Sequence, residues 1–331
     1  MLAALRFAAV GLALLCAGCG LGGSNALQGQ DVTMVLDFTP NAIHAGIYVA
    51  LQRGYDLDAG TRLHVVVPSA STDAIKLLQT GRVNFAILDI HDLAIARARA
   101  ENIVGIMAIV ERPLASVIAA PAIHSPRQLT GRAVGITGVP SDTAVLHSIV
   151  AGAGGGAGKV KTVTIGFNSV PALLSHRVDA VTAFWNDEGI TLQRRRPGFH
   201  VFRVDNYGAL SYPELVVCAT RETLKQQPGV ARALVRALVR GYGVTLTDPE
   251  GSAADLETQV HGLDPNLVGA QLSALGPAFV APDGHVGELT LPALKTWARW
   301  EARFGIVRTP PNVFQAFDPE FVAGTASLVG N

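Results

Sequence analysis

The sequence is poor in the residues on which catalytic and metal sites most often depend. Its 331 residues include only three cysteines and nine histidines. The histidines form no H-x-x-x-H pair and no cluster with cysteine, and no G-x-S-x-G nucleophile motif is present. The sequence therefore predicts neither a metal site nor a cofactor, and it gives no basis for a hydrolase of this kind.

Charge is also scarce, at 16% of the residues, and 26 basic side chains balance 26 acidic ones. The one basic run is R-R-R at residues 194–196, which we interpret as the solvent-exposed end of a helix. A nucleic-acid-binding role has no electrostatic support, because neither half of the sequence carries another basic run. The length and the 49% hydrophobic content predict a protein of two domains, each with its own core.

The first 19 residues differ in kind from the rest. Arg6 precedes an apolar run over residues 7–15, and C-A-G-C follows at residues 16–19. This pattern resembles a bacterial lipoprotein signal in which Cys19 becomes the lipidated first residue; a plain secretory peptide that contains cysteine is the alternative. The apolar run is too short to span a membrane, so we expect an exported protein with a lipid anchor and a flexible tether over residues 20–30.

Cleavage before Cys19 would leave only Cys19 and Cys218, and lipidation of Cys19 would then leave Cys218 without a partner, which excludes a disulfide framework. Cys218 lies within the apolar run L-V-V-C-A at residues 215–219. We therefore expect it to be a small buried core residue.

The stretch from Val35 to Ala50 joins an apolar strand to an apolar helix through the polar turn D-F-T-P-N at residues 37–41. In an open α/β sheet, the loops at the carboxyl ends of strands line the ligand crevice, so Asp37, Phe38 and Asn41 are candidate ligand-binding residues. The alternative is purely structural: Asn41 caps the helix and Phe38 lies in the core.

Strands alternate with helices through most of the chain, which predicts an α/β protein with mostly parallel sheets. A buried strand over residues 83–88 ends in Asp89, which places a second candidate carboxylate at a strand's carboxyl end. The glycine-rich run at residues 152–158 fails the spacing of a phosphate-binding loop and is predicted to be a surface turn. From residue 221 onward the pattern is helical.

Two motifs carry a family resemblance. The run L-D-F-x-P-N-x-x-H-x-G-x-Y-V-A at residues 36–50 resembles the L-D-W-x-P-N-x-x-H-x-G-x-Y-V-A motif of solute-binding proteins that supply thiamine-pyrimidine precursors to ABC importers, with Phe38 where the family usually has Trp. The run V-P-A-L-L-x-x-R-V-D-A-V-T-A-F-W-N at residues 170–186 is similar to the same family. The resemblance covers about residues 31–246.

The resemblance implies a type II periplasmic-binding-protein fold, with two lobes, a hinge and extra C-terminal helices on the first lobe. Residues 31–119 and 216–331 would form the first lobe and residues 120–215 the second, with hinges near residues 119–122 and 215–217. It also implies that Trp185 and Tyr212 contact a flat ligand ring and that Glu214 accepts hydrogen bonds from its amine. The alternatives are Trp185 in the lobe core, Tyr212 at an interface and Glu214 as a solvated charge.

The function implied is that of a lipid-anchored receptor that captures a pyrimidine-like solute for an ABC permease and its ATPase. A receptor for riboflavin is the nearest alternative, and receptors for alkanesulfonate, taurine or nitrate fit less well because the candidate loops are acidic. A pyrimidine-synthase-like enzyme would use a lysine-bound pyridoxal phosphate, a sacrificial histidine and a cysteine-rich motif. The chain has five lysines and no cysteine cluster, so we expect it not to be an enzyme.

Overall fold

The computed structural model describes residues 29–139, 141–209 and 211–325. The predicted signal peptide, Cys19 and most of the tether lie outside the described residues. The strands are β1 (Gln30–Val35), β2 (Thr61–Val66), β3 (Phe85–Asp89), β4 (Ile103–Val110), β5 (Ala115–Ala119), β6 (Ala133–Ile136), β7 (Lys161–Thr164), β8 (Ala180–Phe184), β9 (His200–Arg203) and β10 (Leu215–Thr220). The α-helices are α1 (Ala45–Gln52), α2 (Tyr55–Asp58), α3 (Asp73–Gln79), α4 (Ile90–Ala98), α5 (Asp142–Gly152), α6 (Ser169–Leu174), α7 (Ile190–Arg195), α8 (Arg221–Gln226), α9 (Pro228–Thr247), α10 (Pro249–Gln259), α11 (Pro265–Leu275), α12 (Leu291–Arg303) and α13 (Val313–Ala316).

The strands form two five-stranded sheets, one in each lobe. The first has the order β2-β1-β3-β10-β4 and the second the order β7-β6-β8-β5-β9. In each sheet one strand runs opposite to the other four: β10 is antiparallel to both its neighbours, and so is β5. Each is the first strand after the chain has crossed from the other lobe. The predicted α/β fold with two mostly parallel sheets is confirmed.

The first crossing lies earlier in the chain than the predicted boundary. The strand β5 pairs with β8 and β9, so residues 115–119 belong to the second sheet, whereas the sequence predicts that the first lobe extends to residue 119. The physical reason is that β4 and β5 are both fully buried apolar strands, and burial alone does not indicate which sheet a strand joins. The return crossing ends at Leu215, where β10 begins.

The C-terminal helices cover the first lobe, as predicted. The helices α9 and α10 pack on α1, where two glycines permit a close approach: a Cβ atom on Gly241 would lie 1.9 Å from the carbonyl oxygen of Gly46. The helix α11 also contacts α7 of the second lobe, so the C-terminal third of the chain reaches across the cleft. Cys218 lies buried on β10, as predicted. Within residues 29–325, no described helix has the length and apolar character needed to cross a membrane.

Candidate functional site

A cavity of about 340 Å³ lies between the two lobes, where the carboxyl ends of several strands meet. The first lobe contributes the loop after β1, with Asp37, Phe38 and Asn41, and the last residue of β3, Asp89. The second lobe contributes the loops after β6, β7 and β8. Four of the seven predicted site residues therefore line one cavity, as the strand-end rule indicates.

The loop after β1 is held rigid by a capping box. The side-chain Oδ1 of Asn41 accepts a hydrogen bond from the N–H of Ile43 at 2.8 Å, and Nδ1 of His44 accepts one from the N–H of Asn41 at 3.2 Å. Because Nδ1 is an acceptor, the ring proton lies on Nε2, which donates to Oδ1 of Asp37 at 3.0 Å. The buried His44 thus fixes the carboxylate of Asp37 on the cavity lining, and Asn41 both caps the helix and lines the cavity.

Two aromatic rings face the cavity from opposite lobes. Phe38, from the first lobe, and Phe167, from the loop after β7, meet edge to face with their ring centroids 4.5 Å apart. Both side chains are partly buried. They form an apolar wall against which a flat ligand ring can pack.

Two further carboxylates, Asp187 and Glu188, were missed by the sequence reasoning. They lie on a π-helical turn, Trp185–Gly189, directly after β8. Their position at a strand's carboxyl end is present in the sequence, but the family resemblance favours the neighbouring Trp185. Asp187 and Glu188 line the cavity, whereas Trp185, at the start of the same turn, lies off the lining.

Asp187 connects the two lobes. Its Oδ2 accepts a hydrogen bond from Nδ2 of Asn41 at 3.2 Å, and its Oδ1 accepts one from Nε2 of Gln271 on α11 at 2.6 Å. Two more hydrogen bonds cross the cleft: Oγ of Ser141 donates to Oδ1 of Asp92 at 3.0 Å, and Oγ of Ser71 donates to the carbonyl oxygen of residue 137 at 3.2 Å. The lobes are therefore closed over the cavity.

The lining is strongly acidic. Burial raises the pKa of Asp187 to about 6, and burial together with the negative charge of Asp187 raises the pKa of Glu188 to about 8. Burial also raises the pKa of Asp89 well above its usual range and that of Asp92 to about 7. Among the described lining residues, only Lys76 and Arg99 carry positive charge, and both are exposed. Such a cavity suits a ligand that donates hydrogen bonds and disfavours an anion.

The other three predicted site residues lie at the hinge and off the lining of this cavity. The indole Nε1 of Trp185 donates to the carbonyl oxygen of Pro113 at 3.0 Å, and the guanidinium carbon of Arg203 lies 4.3 Å from the centre of the indole ring. Pro113 belongs to the first crossing. Trp185 therefore packs between that crossing and β9.

Glu214 is fully buried, and its Oε2 accepts hydrogen bonds from the backbone N–H groups of Leu114 at 2.5 Å and Ala115 at 3.0 Å. The carboxylate of the return crossing thus holds the backbone of the first crossing through Oε2, while its Oε1 has no hydrogen-bond partner among the described residues. The expected role of Glu214 as a ligand contact stays a prediction. The hydroxyl of Tyr212 lies 3.1 Å from Nε2 of the buried His91, so Tyr212 also packs inside the hinge. The sequence could not show this because the partners of Glu214 are about a hundred residues away.

Asp89, His91 and Glu214 bring possible metal-ligand atoms within 4.8 Å of one another. Both ring nitrogens of His91 are already engaged, Nδ1 with Glu301 and Nε2 with Tyr212. We therefore describe this group as a hydrogen-bonded network behind the cavity, in which Asp89 is the member that lines the cavity.

Residues 41–252 match the family model described as "NMT1/THI5 like", which is more than half of the chain. The chain belongs to the NMT1/THI5-like family. A formylaminopyrimidine-binding protein from Halalkalibacterium halodurans is 30% identical over 67% of this chain and 68% of its own. A 4-amino-5-hydroxymethyl-2-methylpyrimidine phosphate synthase from Legionella pneumophila is 25% identical over 66% of this chain and 70% of its own.

Solved structures show the same fold as this NMT1/THI5-like chain. The alkanesulfonate-binding protein SsuA from Xanthomonas axonopodis pv. citri, bound to MOPS, superposes with a TM-score of 0.71 at 15% identity, over 87% of this chain and 98% of that one. The chain thus has the periplasmic-binding-protein fold. The NMT1/THI5-like match includes Asn41, Asp89, Asp187 and Glu188, whereas Asp37 and Phe38 lie just before it.

Proposed function

We propose that this chain is the extracytoplasmic solute-binding protein of an ABC importer and that it captures an aminopyrimidine, a precursor of thiamine, between its two lobes. The observation that carries this proposal is Glu188, a carboxyl group that is 9% exposed, lines the inter-lobe cavity and has its pKa raised to about 8. The similarity to a formylaminopyrimidine-binding protein supports the same class of solute.

An aminopyrimidine presents an exocyclic amine, which donates, beside a ring nitrogen, which accepts. A protonated Glu188 complements this edge, since its O–H donates to the ring nitrogen and its other oxygen accepts from the amine. An ionised Glu188 complements the same edge when the ring nitrogen carries the proton, and the pair is then charge-assisted. In both cases the complex holds one proton between the two groups.

The remaining lining fits the rest of such a ligand. The rings of Phe38 and Phe167 offer a flat ligand aromatic contact, which contributes about 0.5–1.5 kcal/mol beyond the area buried. The carboxylates of Asp187 and Asp37, each already held by a hydrogen bond, remain on the lining to accept from further donors.

Titration calorimetry on the chain without its first 18 residues tests the proposal. The ligands are an aminopyrimidine, its formylated derivative, riboflavin, taurine and nitrate. We expect the aminopyrimidines to bind and Glu188→Leu to weaken that binding by at least about thirty-fold, because truncating one partner of a buried charged pair costs about 2–5 kcal/mol. The control is Glu250→Leu, which removes an exposed glutamate at the start of α10. Binding of the anions or riboflavin alone would refute the proposal.

A synthase is the second candidate, because the chain is similar to the Legionella synthase and Lys76 lies on the cavity lining. Lys76 is exposed, and its Nζ donates to Oγ1 of Thr72 at 2.8 Å. The test is incubation with pyridoxal phosphate, borohydride reduction and peptide mass spectrometry. We expect no adduct on Lys76 and recovery of the bound aminopyrimidine unchanged; an adduct there would favour the enzyme.

The export and lipid anchor at Cys19 belong to the same proposal. The support is the sequence pattern of residues 1–19 and the fold shared with periplasmic binding proteins. Expression of the full chain in a bacterial host, followed by membrane fractionation, is the measurement. Cys19→Ser should move the protein to the soluble extracytoplasmic fraction, and Cys218→Ser should leave it on the membrane.

A further inference from the structure

A second group of acidic and histidine side chains lies on the first lobe, outside the inter-lobe cavity. Asp283, His285 and Glu288, in the segment between α11 and α12, bring one oxygen or nitrogen atom each within 4.8 Å of the others. Nδ1 of His285 lies 2.9 Å from Oδ2 of Asp283. Exposed clusters of this kind are common, so the group does not by itself indicate a ligand.

Glu111 supplies an independent observation. It directly follows β4, it is 9% exposed, and its Oε1 has no hydrogen-bond partner among the described residues. Burial raises the pKa of its carboxyl well above the usual range, and the negative charges of Glu288 and Asp283 raise it further. In the part of the chain that the structure describes, no Lys or Arg forms an ion pair with Glu111, Asp283 or Glu288. Three carboxylates therefore converge without a lysine or arginine to balance them.

The segment that carries the cluster is fastened to the strand that carries Glu111. The N–H of Ala108 on β4 donates to the carbonyl oxygen of Gly287 at 3.0 Å, and the N–H of Glu111 donates to that of Ala278 at 2.7 Å. Gly287 has φ +83°, and a Cβ atom there would lie 2.9 Å from Cγ of Met107. The cluster and Glu111 are thus held together by the backbone, and the crowding of their charges is built into the fold.

We propose that Asp283, His285 and Glu288 bind a divalent transition-metal ion such as Zn²⁺, supported by the buried carboxyl of Glu111, whose Oε1 has no partner among the described residues. An imidazole among carboxylates favours zinc or a neighbouring transition metal, whereas Ca²⁺ and Mg²⁺ take oxygen ligands. Zinc–ligand distances of about 2.0–2.2 Å are within reach of three atoms that already lie within 4.8 Å of one another.

Calorimetric titration of the chelator-treated chain with ZnCl₂ tests this proposal, independently of any solute. We expect one zinc site in the unaltered chain, at least about tenfold weaker binding in His285→Ala, and about 10–100-fold weaker binding in Glu111→Gln. The control is His64→Ala, which breaks an exposed His–Asp pair of the same kind: Nε2 of His64 lies 2.7 Å from Oδ1 of Asp31. Zinc affinity in this control should not change.

Thermal melting separates the proposed role from a structural one. Without zinc, Glu111→Gln should melt at a higher temperature than the unaltered chain, since it removes a buried carboxyl that faces like charges. Zinc should raise the melting temperature of the unaltered chain but not that of His285→Ala. Equal zinc affinity in His285→Ala, no zinc binding at millimolar concentration, or equally tight binding of Ca²⁺ would overturn the proposal.

Discussion

Replacing Glu188 by glutamine should remove the pH dependence of solute binding while leaving binding itself intact. The carboxyl of Glu188 lines the cavity, and its pKa of about 8 means that it is mostly protonated at neutral pH in the ligand-free protein. A glutamine amide presents the same donor and acceptor as a protonated carboxyl, so it complements an aminopyrimidine at any pH. The unaltered chain complements that ligand only while one proton lies between the carboxyl and the ring nitrogen.

The expected magnitude follows from this single proton. Below pH 8 the free protein already carries the proton, so the dissociation constant should stay flat. Above pH 8 each bound ligand takes one proton from solution, and the dissociation constant should rise tenfold per pH unit, or about 1.4 kcal/mol. Between pH 7 and pH 10 the loss is about a hundredfold. The charges facing Glu188 are those of Asp187 and Asp37, and Asp187, with its pKa near 6, is ionised over the whole range.

Calorimetry with an aminopyrimidine measures the affinity at each pH from 7 to 10. Repeating each titration in two buffers that differ in ionisation enthalpy gives the number of protons taken up on binding. The Glu188→Gln chain is expected to show constant affinity and no uptake. A dissociation constant that changes by less than about threefold in the unaltered chain, or an equal slope in both chains, would refute the pairing of Glu188 with the ligand.

The ligand-free protein gives a second readout with a defined sign. Because the pKa of Glu188 rises from 4.5 to about 8 on folding, the folded state binds more protons than the unfolded state between these values. Stability should therefore fall as the pH rises through this window, and Glu188→Gln should reduce the fall. At pH 9 the variant should melt at a higher temperature than the unaltered chain, and a lower melting temperature would contradict the burial of an ionisable group here.

Three further predictions concern the hinge and the cleft. Glu214→Ala leaves two buried backbone N–H groups without an acceptor, so the free energy of unfolding in urea should fall by about 2–6 kcal/mol. A loss below about 1 kcal/mol would contradict the hinge role. Trp185→Phe removes the indole donor to Pro113 and should therefore lower the melting temperature. The affinity for an aminopyrimidine should stay within about threefold, and a larger loss would assign Trp185 to the ligand site. Ser141→Ala removes the donor to Asp92 across the cleft. Without ligand, small-angle scattering should show a larger radius of gyration for this variant than for the unaltered chain. An unchanged radius would mean that this bond does not hold the lobes together.

The sequence could predict the loop after β1 because its structure depends on local rules. Strand alternation, the proline turn and the cap at Asn41 all lie within a few residues of one another, and the carboxyl end of a strand faces the crevice in this class of sheet. Asp37, Phe38 and Asp89 lie on the cavity for the same reason. That they bind the solute stays a prediction.

The hinge residues could not be placed in the same way, because their partners are distant in sequence. Nothing near Glu214 indicates that its carboxylate accepts from the N–H groups of Leu114 and Ala115. The Asp187–Gln271 contact likewise depends on how α11 packs across the cleft, and the C-terminal third carries no motif that predicts it. Family resemblance indicated segments that reach the cavity, and the geometry shows which of their side chains line it.

The bond from Glu214 to the first crossing also determines how the lobes can move. Both chain crossings are fastened at one buried carboxylate, so we expect them to bend together and the second lobe to rotate about a single axis. Two fluorophores, one at the far rim of each lobe, would then show two separations. One would belong to the open chain and the other to the closed chain. A chain with this hinge is suited to serve as a two-level optical sensor of its solute, and weakening the hinge at Glu214 would replace those two levels with a continuous spread.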